Sequence, residues 1–457
     1  MLKLLYWGMN IKRWIVIGFL GLCLFLAGTG VMIESRPIGS HPLPVRVADW
    51  IIDNVHLGLR PGTLGLVVTL AGVLMCVIAF AYLMQSLMHA LDPETRASDL
   101  PDIIYRRRKL AQGRRIVVIG GGTGLSTMLR GLKKYSSNIT AIVTVADDGG
   151  SSGKLQRQLN ILPPGDIRNC LVALADAEPV MTELFQYRFR DSVQPDSHAV
   201  GEGTADAGAS EAKKPKRDVG YGEGLRDHAF GNLLIAAMCA INDGDFERGI
   251  RETSRVLNIR GRVLPTTVTH IRLRAEMEDG SHLEGESVIA GSPLKIRRVS
   301  LTPGNACPLA EVLEAIDKAE IIVMGPGSVF TSIIPNLLVQ GVPEAIRRSN
   351  AKKVYVCNVM TQSGETNGFS AHDHVRAIEK HARMRVFDYV MINTARPKNE
   401  ILEKYRKAGA VLVEPDADRI KSEGYRTILG NFINQSDVVR HDSNLLAEDI
   451  MRLLDKP

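Results

Sequence analysis

The distribution of apolar and charged positions divides the chain near residue 113. Residues 14–33 and residues 64–88 contain no Asp, Glu, Lys or Arg, whereas charged residues are frequent afterwards. A helix that crosses the hydrocarbon core of a bilayer needs about 20 mostly apolar residues, so both stretches qualify. A cleaved signal peptide has an apolar region of about 7–15 residues, and here a second stretch follows. We therefore predict a membrane anchor, residues 1–113, with two transmembrane helices and a basic linker.

Charged residues that flank the two stretches predict an orientation. Lys3, Lys12 and Arg13 precede the first stretch, and seven Arg or Lys residues occupy positions 96–115 after the second. In the connecting segment 34–63, three Arg residues are balanced by three acidic residues. Because Lys and Arg are enriched on the cytoplasmic side of membranes, we expect a multi-pass protein of the cell membrane. Both termini and the main domain, residues 114–457, would lie in the cytoplasm.

Residues 114–457 alternate short apolar runs with helical patterns. The runs "RRIVVIG", "ITAIVTVA", "EIIVMGPG", "KKVYVCNV" and "DYVMINTA" are nearly continuous in apolar residues, as expected for strands buried on both faces of a parallel sheet. Helical patterns between several of them favour a doubly wound, Rossmann-like α/β domain. Segment 262–289 instead alternates apolar and polar residues around Asp279-Gly280, which predicts an inserted antiparallel hairpin.

Segment 192–224 differs from the rest of this domain. It is rich in Gly, Ala, Ser and charged residues and has almost no large apolar side chains. Such a composition cannot bury enough apolar surface to offset the entropy of ordering. We predict a disordered insertion that lies shortly before the motif "HAFGN".

Composition narrows the function classes. The six cysteines form no CxxC pair, so neither a zinc site nor a disulfide framework is indicated. The formal net charge is +6, but basic residues cluster beside the second apolar stretch, where they would attract anionic lipid. No basic stripe interleaved with aromatic residues occurs, so we expect no nucleic-acid partner.

A glycine-rich turn, "IVVIGGGTGLS", follows the first strand and opens a helical pattern. Glycines let a ligand approach the backbone, and free N–H groups at a helix start attract anions. The dinucleotide fingerprint G-x-G-x-x-G is broken, since Leu125 stands at its last position. The next strand ends in Asp147 and Asp148, which can accept bonds from ribose hydroxyls or hold Mg²⁺. A tight turn without a ligand and a simple loop cap are the structural alternatives.

Two further segments place polar residues at predicted helix starts. "PPGDIRN" has Asp166 as a candidate N-cap and puts Arg168 and Asn169 in the first helical turn, where a cation and an amide suit a phosphate. "HAFGN" puts Asn232 at the start of an apolar helix. The segment "MGPGSVF", residues 324–330, forms a second strand–glycine–helix turn. Two such turns on one sheet predict a ligand across the crevice at the carboxyl ends of the strands.

The triplet His372-Asp373-His374 resembles a metal-binding cluster. Residues two apart on a helix do not share a face, however. Ser370 and Asp373 have the spacing of a capping box. We therefore expect a helix start here in preference to a metal site.

Several motifs, taken together and in their order along the chain, resemble those of a known family. "IVVIGGGTGLS", "AIVTVADDGGSSG", "LPPGDIRN", "FGNLL", "GPGSVFTSIIPNLLV", "CNVMTQSGET" and "RHD" closely resemble the YvcK/GlmR family of bacterial gluconeogenesis factors, from about Arg115 to the C-terminus. That family is related to the CofD-type 2-phospho-L-lactate transferases, which act on a nucleotide-activated donor and a deazaflavin acceptor with Mg²⁺. The two N-terminal spans and the long segment 192–224 depart from the typical member.

The resemblance implies a UDP-sugar-binding regulator, with UDP-N-acetylglucosamine as the principal ligand and no required cofactor. Members control carbon flow toward cell-wall precursors at the glucosamine-6-phosphate synthase step, and cells need them for normal shape under gluconeogenic growth. The resemblance also implies contacts to the ligand from Tyr405 and Arg440. Together the motifs and the resemblance give a predicted site of Gly121, Gly122, Thr123, Gly124, Asp147, Asp148, Arg168, Asn169, Asn232, Gly325, Gly327, Ser328, Tyr405 and Arg440.

The sequence also leaves alternatives for the function of the chain. A CofD-like transferase of phospholactyl or phosphoryl groups is the alternative function, with Mg²⁺ held by Asp147 and Asp148. An NAD-dependent oxidoreductase is disfavoured by the broken fingerprint. The sequence indicates no catalytic residue and leaves self-association undecided.

Overall fold

The computed structural model describes residues 11–33, 61–91, 105, 108–176, 178–189, 224–435 and 439–455. Its chain divides into two units, Met1–Arg108 and Lys109–Pro457. The predicted insertion 192–224 lies outside the described residues except for Gly224.

The first unit contains two long apolar helices, α1 (Ile11–Ile33) and α2 (Pro61–Leu91). The windows Arg13–Gly30 and Gly65–Ser86 are long and apolar enough to cross a membrane. The two helices approach closely at glycines, since a Cβ atom built on Gly28 would lie 2.5 Å from the backbone nitrogen of Thr69. Small residues of this kind let helix backbones pack tightly in lipid, while large apolar side chains such as Phe19 and Phe80 point outward. The two apolar helices predicted from the sequence are thus present.

The second unit is built on a parallel sheet of seven strands in the order β10-β9-β8-β7-β1-β2-β3. Strands β1 and β2 are buried at every position, which explains their unbroken apolar sequences. The doubly wound α/β fold is confirmed. The strands of this unit are β1 (Ile116–Gly120), β2 (Ile139–Val143), β3 (Arg262–Pro265), β4 (Arg272–Met277), β5 (His282–Glu284), β6 (Ile296–Thr302), β7 (Ile321–Met324), β8 (Lys352–Val356), β9 (Tyr389–Asn393), β10 (Arg426–Gly430), β11 (Ile433–Gln435) and β12 (Val439–His441).

Helices connect and cover these strands. A π-helical turn, Val329–Ile333, follows β7 and leads into a short α-helix. The helices are α3 (Gly122–Leu132), α4 (Gly150–Leu159), α5 (Gly165–Leu174), α6 (Glu178–Gln186), α7 (Phe230–Ile241), α8 (Phe246–Val256), α9 (Glu286–Ala290), α10 (Ala310–Lys318), α11 (Ile334–Leu338), α12 (Val342–Arg348), α13 (Ala371–Ala382), α14 (Asn399–Lys407), α15 (Ala417–Ser422) and α16 (Ser443–Asp455).

The inserted antiparallel element is present, but its boundaries differ from the prediction. Strands β4 and β5 form the hairpin around Asp279-Gly280, and β6 adds a third strand to give the order β5-β4-β6. The segment Arg262–Pro265, which the alternation assigned to the hairpin, is instead the edge strand β3 of the parallel sheet. A strand of four residues at the edge of a sheet is too short for its burial pattern to distinguish the two assignments.

Candidate functional site

A cavity of about 490 Å³ lies at the carboxyl ends of β1, β2, β7 and β8. Its lining comes mainly from the turns that follow these strands and from four more distant segments, which contribute Asp166, Glu286, Tyr405 and Val439–His441. The lining residues are Gly121, Gly122, Thr123, Gly124, Thr127, Thr144, Asp147, Asp166, Glu286, Pro326, Gly327, Ser328, Thr331, Ser332, Asn358, Val359, Met360, Thr361, Gln362, Tyr405, Val439, Arg440 and His441. Nine of the fourteen residues in the predicted site are among them.

The two glycine turns predicted from the sequence meet at this cavity. A Cβ atom on Gly124 would collide with the carbonyl oxygen of Pro326, and one on Gly121 would lie 2.6 Å from a carboxyl oxygen of Asp166. Gly122 adopts a positive φ of 63°, a conformation that favours glycine. Only residues without side chains therefore permit this approach. It brings the start of α3 and the turn after β7 to one crevice, as is typical of ligand sites in open α/β sheets.

Side-chain amides from the segment after β8 hold the second turn in place. The Gly327 N–H donates to Asn358 Oδ1 at 3.1 Å, and Asn358 Nδ2 donates back to the Gly327 carbonyl at 2.9 Å. Gln362 Nε2 donates to Ser328 Oγ at 2.7 Å. Asn358 and Gln362 were missed by the sequence analysis as individual site residues, although both lie in or beside the family motif "CNVMTQSGET".

Three carboxyl groups gather in one part of the cavity. Burial raises the pKa of Asp147, and it raises the pKa of Asp166 and of Glu286 to about 7. Repulsion from Asp147 and Glu286 raises the pKa of Asp166 further, and repulsion from Asp147 and Glu365 raises that of Glu286. For Asp147 the neighbouring charge that raises the pKa is Asp148. Asp166 accepts a hydrogen bond from the Gly122 N–H at the start of α3. The predicted N-cap role of Asp166 is wrong, because α5 begins at Gly165 with Pro164 as N-cap.

Glu286 was missed because it belongs to the inserted antiparallel element. Nothing in "GES" near residue 286 distinguishes it from a surface turn, and only the packing of α9 brings it to the cavity. Glu365 interacts electrostatically with Glu286. The Thr331 hydroxyl donates to Glu365 Oε1 at 3.0 Å, and burial raises the pKa of Glu365 to about 7.

Five predicted residues do not line the cavity. Asp148 accepts hydrogen bonds from the N–H and hydroxyl of Ser287, and Gly325 donates its N–H to the Ile119 carbonyl. The other three form a polar network in which Arg168 and Asn232 are buried and Asn169 is half-buried.

That network is anchored by the Arg168 guanidinium. It donates to Asn232 Oδ1 at 3.0 Å and to Asn169 Oδ1 at 3.1 Å, and burial lowers its pKa to about 10. Asn232 in turn donates to Ser151 Oγ at 3.0 Å. The positive charge of Arg168 partly offsets the buried carboxyl groups of Asp147 and Asp166. These residues therefore stabilise the carboxyl groups of the cavity without lining it themselves.

A small hydrophobic cluster carries the other wall of the cavity. Val359, Met360 and Ile433 form its buried part, and Tyr405 and Val439 pack against them together with Ala395, Leu402 and Leu412. The Tyr405 hydroxyl donates to the Val439 carbonyl at 3.3 Å, which joins α14 to β12. Arg440 and His441 follow on β12 and line the cavity, and burial lowers the pKa of His441 to about 4. The neutral imidazole of His441 and the exposed guanidinium of Arg440 thus belong to neighbouring residues of the lining.

Metal-binding clusters are absent from the described residues: no group of three or more His, Cys, Asp or Glu side chains is arranged to hold an ion. The triplet at 372–374 starts α13, where Ser370 and Asp373 form the predicted capping box. Of the predicted metal pair, Asp147 lines the cavity, whereas Asp148 accepts from Ser287 and does not line it. Asp166 faces the cavity with Asp147, so any Mg²⁺ there would need oxygen atoms from the ligand as well.

Comparison with known proteins places this geometry in a family. The family model described as 2-phospho-L-lactate transferase CofD matches residues 116–433. A gluconeogenesis factor from Halalkalibacterium halodurans is 48% identical over 337 residues, which cover 74% of this chain and 95% of the relative. The chain belongs to the gluconeogenesis factor family. The family assignment made from the motifs is thereby confirmed, together with its CofD relationship.

Other members of the family extend the comparison to structure and to the N-terminal unit. A crystal structure of a UPF0052 family protein from Bacillus halodurans has a TM-score of 0.65 and 46% identity, and the match covers 74% of this chain and 99% of that one. A relative from Nostoc sp. is 40% identical over 455 residues, which cover 97% of this chain and 91% of the relative. So broad an alignment includes the N-terminal unit, so this unit is shared with some gluconeogenesis factors.

Proposed function

We propose that this chain binds a UDP-sugar, above all UDP-N-acetylglucosamine, and acts as a membrane-tethered regulator of carbon flow into cell-wall precursors. The observation that carries the proposal is the meeting of two glycine turns, a helix start and Arg440 at one cavity. Backbone N–H groups at a helix start and a planar guanidinium are the groups that bind a diphosphate. The volume of about 490 Å³ suits a ligand of the size of a nucleotide sugar.

The acidic residues in the same cavity bear on how a diphosphate could bind. Asp147, Asp166 and Glu286 would repel a ligand of the same charge unless a cation or a proton intervenes. Two carboxylates with ligand oxygens and waters match the way proteins hold Mg²⁺. Asp147 and Asp166 would hold the ion, which would neutralise phosphate charge. We therefore expect Mg²⁺ to strengthen UDP-sugar binding, although the protein needs no resident cofactor.

Regulation would follow from unequal binding to two conformations. A ligand shifts a conformational equilibrium only by its differential affinity for the two states. The small hydrophobic cluster that carries Tyr405 and Arg440 is separate from the main core, so it is the part of the wall best able to respond to a ligand. The proposed partner is glucosamine-6-phosphate synthase or another enzyme of cell-wall precursor synthesis, and the result of its control would be normal cell shape under gluconeogenic growth.

A CofD-like transferase of phospholactyl or phosphoryl groups is the second candidate. It is favoured by the group of carboxylates beside the proposed diphosphate position and by the family model itself. Asp147 and Asp166 would hold the ion that such a reaction uses. Formation of a product from a deazaflavin acceptor, dependent on Mg²⁺ and on Asp147, would favour this candidate over a pure sensor.

The test is a calorimetric titration of the full chain in detergent with UDP-N-acetylglucosamine, UDP and NAD, each with and without Mg²⁺. The proposal predicts saturable binding of the UDP ligands, stronger with Mg²⁺, and no comparable binding of NAD. Binding of NAD in preference to the UDP ligands would contradict the proposal and favour an oxidoreductase.

A further inference from the structure

We propose that Glu286 selects the group that a UDP ligand carries beyond its diphosphate, and that Asp148 is a positioning residue for Glu286. The group selected is a hydroxyl-bearing glycosyl unit. This inference rests on the proposed function, because it presupposes a UDP-linked ligand in the cavity. It assigns one end of the cavity to the sugar and names Glu286 as the residue that distinguishes a glycosyl unit from other groups at that end.

The two ends of a UDP-sugar match two chemically different groups of lining residues. One group belongs to the small hydrophobic cluster, with Val359, Met360 and the ring of Tyr405, and has the amide of Gln362 nearby. A pyrimidine base needs such apolar surfaces together with amide hydrogen-bonding groups.

The second group offers oxygen atoms in place of apolar surface. Asp147, Asp166 and Glu286 interact electrostatically with one another, so they lie together, and the hydroxyl of Thr331 is within reach of Glu286. Carboxylate and hydroxyl oxygens accept hydrogen bonds from several hydroxyl groups at once. This part of the cavity therefore suits a glycosyl unit better than a base. Because Asp147 and Asp166 would hold the ion beside the diphosphate, Glu286 and Thr331 are the groups left for the glycosyl unit.

Glu286 reaches the cavity because α9 is fixed at its beginning by Asp148. Asp148 Oδ1 accepts from the Ser287 N–H at 2.9 Å and from the Ser287 hydroxyl at 2.7 Å. Gly285 has a positive φ of 103°, and a Cβ atom there would collide with Asp148 Oδ2. The carboxylate of Asp148 is thus used to hold the residue next to Glu286, and it does not line the cavity.

The end of α9 is fixed independently. Gly364 has a positive φ of 84°, and a Cβ atom there would lie 2.6 Å from the Ala290 carbonyl oxygen and 2.7 Å from that of Ser292. The segment that carries Glu365 therefore packs directly against the end of α9. With both ends held, the backbone that carries Glu286 is fixed beside the cavity.

A carboxyl group in this position distinguishes ligands that carry a hydroxyl group from ligands that lack it. A site built to bond a ligand hydroxyl binds an analogue without that hydroxyl much more weakly, because buried polar groups are then left unpaired. Glu286 lines the cavity within reach of the Thr331 hydroxyl, so its carboxyl oxygens are placed to accept hydrogen bonds from ligand hydroxyl groups. Binding of the sugar should therefore depend on Glu286 more than binding of the uridine or the diphosphate does.

The experiment compares the dissociation constants of UDP-N-acetylglucosamine and UDP for the full chain in detergent. Glu286→Gln should weaken binding of the UDP-sugar about fivefold or more and change UDP binding less than about twofold. Glu278→Gln, an exposed glutamate on the same antiparallel element, is the matched control and should change neither constant. Equal weakening of both ligands by Glu286→Gln, or no weakening of either, would overturn the assignment of the sugar end.

Two substitutions at Asp148 separate positioning from metal binding. Asn keeps an oxygen that accepts from Ser287, so Asp148→Asn should retain the preference for the UDP-sugar, whereas Asp148→Ala should lose it. A metal ligand would behave differently: Asp148→Asn would then abolish the Mg²⁺ dependence as fully as Asp148→Ala does, and that result would overturn the positioning role. If Asp148→Ala does not fold, the Mg²⁺ dependence of Asp148→Asn and the ligand preference of Glu286→Gln still test the proposal. Absence of binding of any UDP ligand by the folded wild-type chain would instead contradict the proposed function itself.

Discussion

The carboxyl group of Glu365 lies beside the cavity without lining it, so its titration can be measured apart from ligand contacts. Burial raises its pKa from the ordinary 4.5 to about 7. Between these values the folded protein binds more protons than the unfolded chain. Stability from this group is therefore fully present below about pH 4.5 and is lost as the pH rises toward 7.

Glu365→Gln should remove that loss, because a Gln amide oxygen still accepts from the Thr331 hydroxyl but carries no charge. We expect the variant to exceed the wild type by roughly 3 kcal/mol in free energy of unfolding at pH 8 and to lie close to it at pH 4.5. Denaturant unfolding at both pH values measures this difference. The same gain at both pH values would show that packing, and not the titration of Glu365, is responsible.

At the scale of elements, the small hydrophobic cluster is expected to serve binding and the main core to serve stability. Ile433 is buried in the small cluster beneath Tyr405 and Val439, whereas Ile378 of α13 is buried in the main core. Ile433→Ala should weaken UDP-N-acetylglucosamine binding several-fold, because it loosens the wall that carries Arg440. Ile378→Ala should cost about 2–5 kcal/mol of stability and leave the affinity of the folded protein unchanged.

The measurement is a titration with UDP-N-acetylglucosamine and an unfolding curve for each variant, at a temperature where both are folded. An equal loss of affinity in the two variants would contradict a separate role for the small cluster.

Elements buried on both faces were the most predictable part of the fold. The runs that form β1, β2, β7 and β9 are almost purely apolar, and β8 is apolar after its two initial lysines. Short apolar runs of this length are typical of strands buried in a parallel sheet. Strand β3 was misassigned because its four residues precede an alternating segment and share its appearance. The glycine turns were predictable for a similar reason, since only glycine permits the approach between Gly124 and Pro326.

Site residues that depend on contacts distant in sequence could not be predicted. Asp148 and Ser287 are separated by 139 positions, and the contact that places Glu286 depends on how the inserted element packs. Arg168 and Asn232 were expected to touch the ligand because they start helices, yet they bond each other and do not line the cavity. Residue type and position at a helix start do not reveal which way a side chain points.

At the scale of the whole molecule, the N-terminal unit is expected to hold the second unit at the cytoplasmic face of the membrane. Cys307 is the exposed cysteine of the second unit, where Cys170, Cys239 and Cys357 are buried. A membrane-impermeant maleimide should therefore label the second unit at Cys307 only after cells are lysed. A cysteine introduced by Ser40→Cys, between the two apolar helices, should be labelled in intact spheroplasts.

A Cys307→Ser background distinguishes the two sites of labelling. Labelling of Cys307 in intact cells would contradict the orientation deduced from the basic flanks. Recovery of the full chain in the soluble fraction after cell breakage would contradict membrane attachment itself.

The central claim is that the cavity between the two glycine turns binds a UDP-sugar with the help of Arg440. Its most direct test is the dissociation constant of UDP-N-acetylglucosamine for the full chain and for Arg440→Ala, with Arg452→Ala as control. Arg452 is an exposed arginine on α16 that pairs with Glu448, away from the cavity. We predict saturable binding that weakens about tenfold or more in Arg440→Ala, as expected for loss of a charged hydrogen bond, and is unchanged in Arg452→Ala. Equal affinity of the wild type and Arg440→Ala, or no binding by the folded wild-type chain, would contradict the claim.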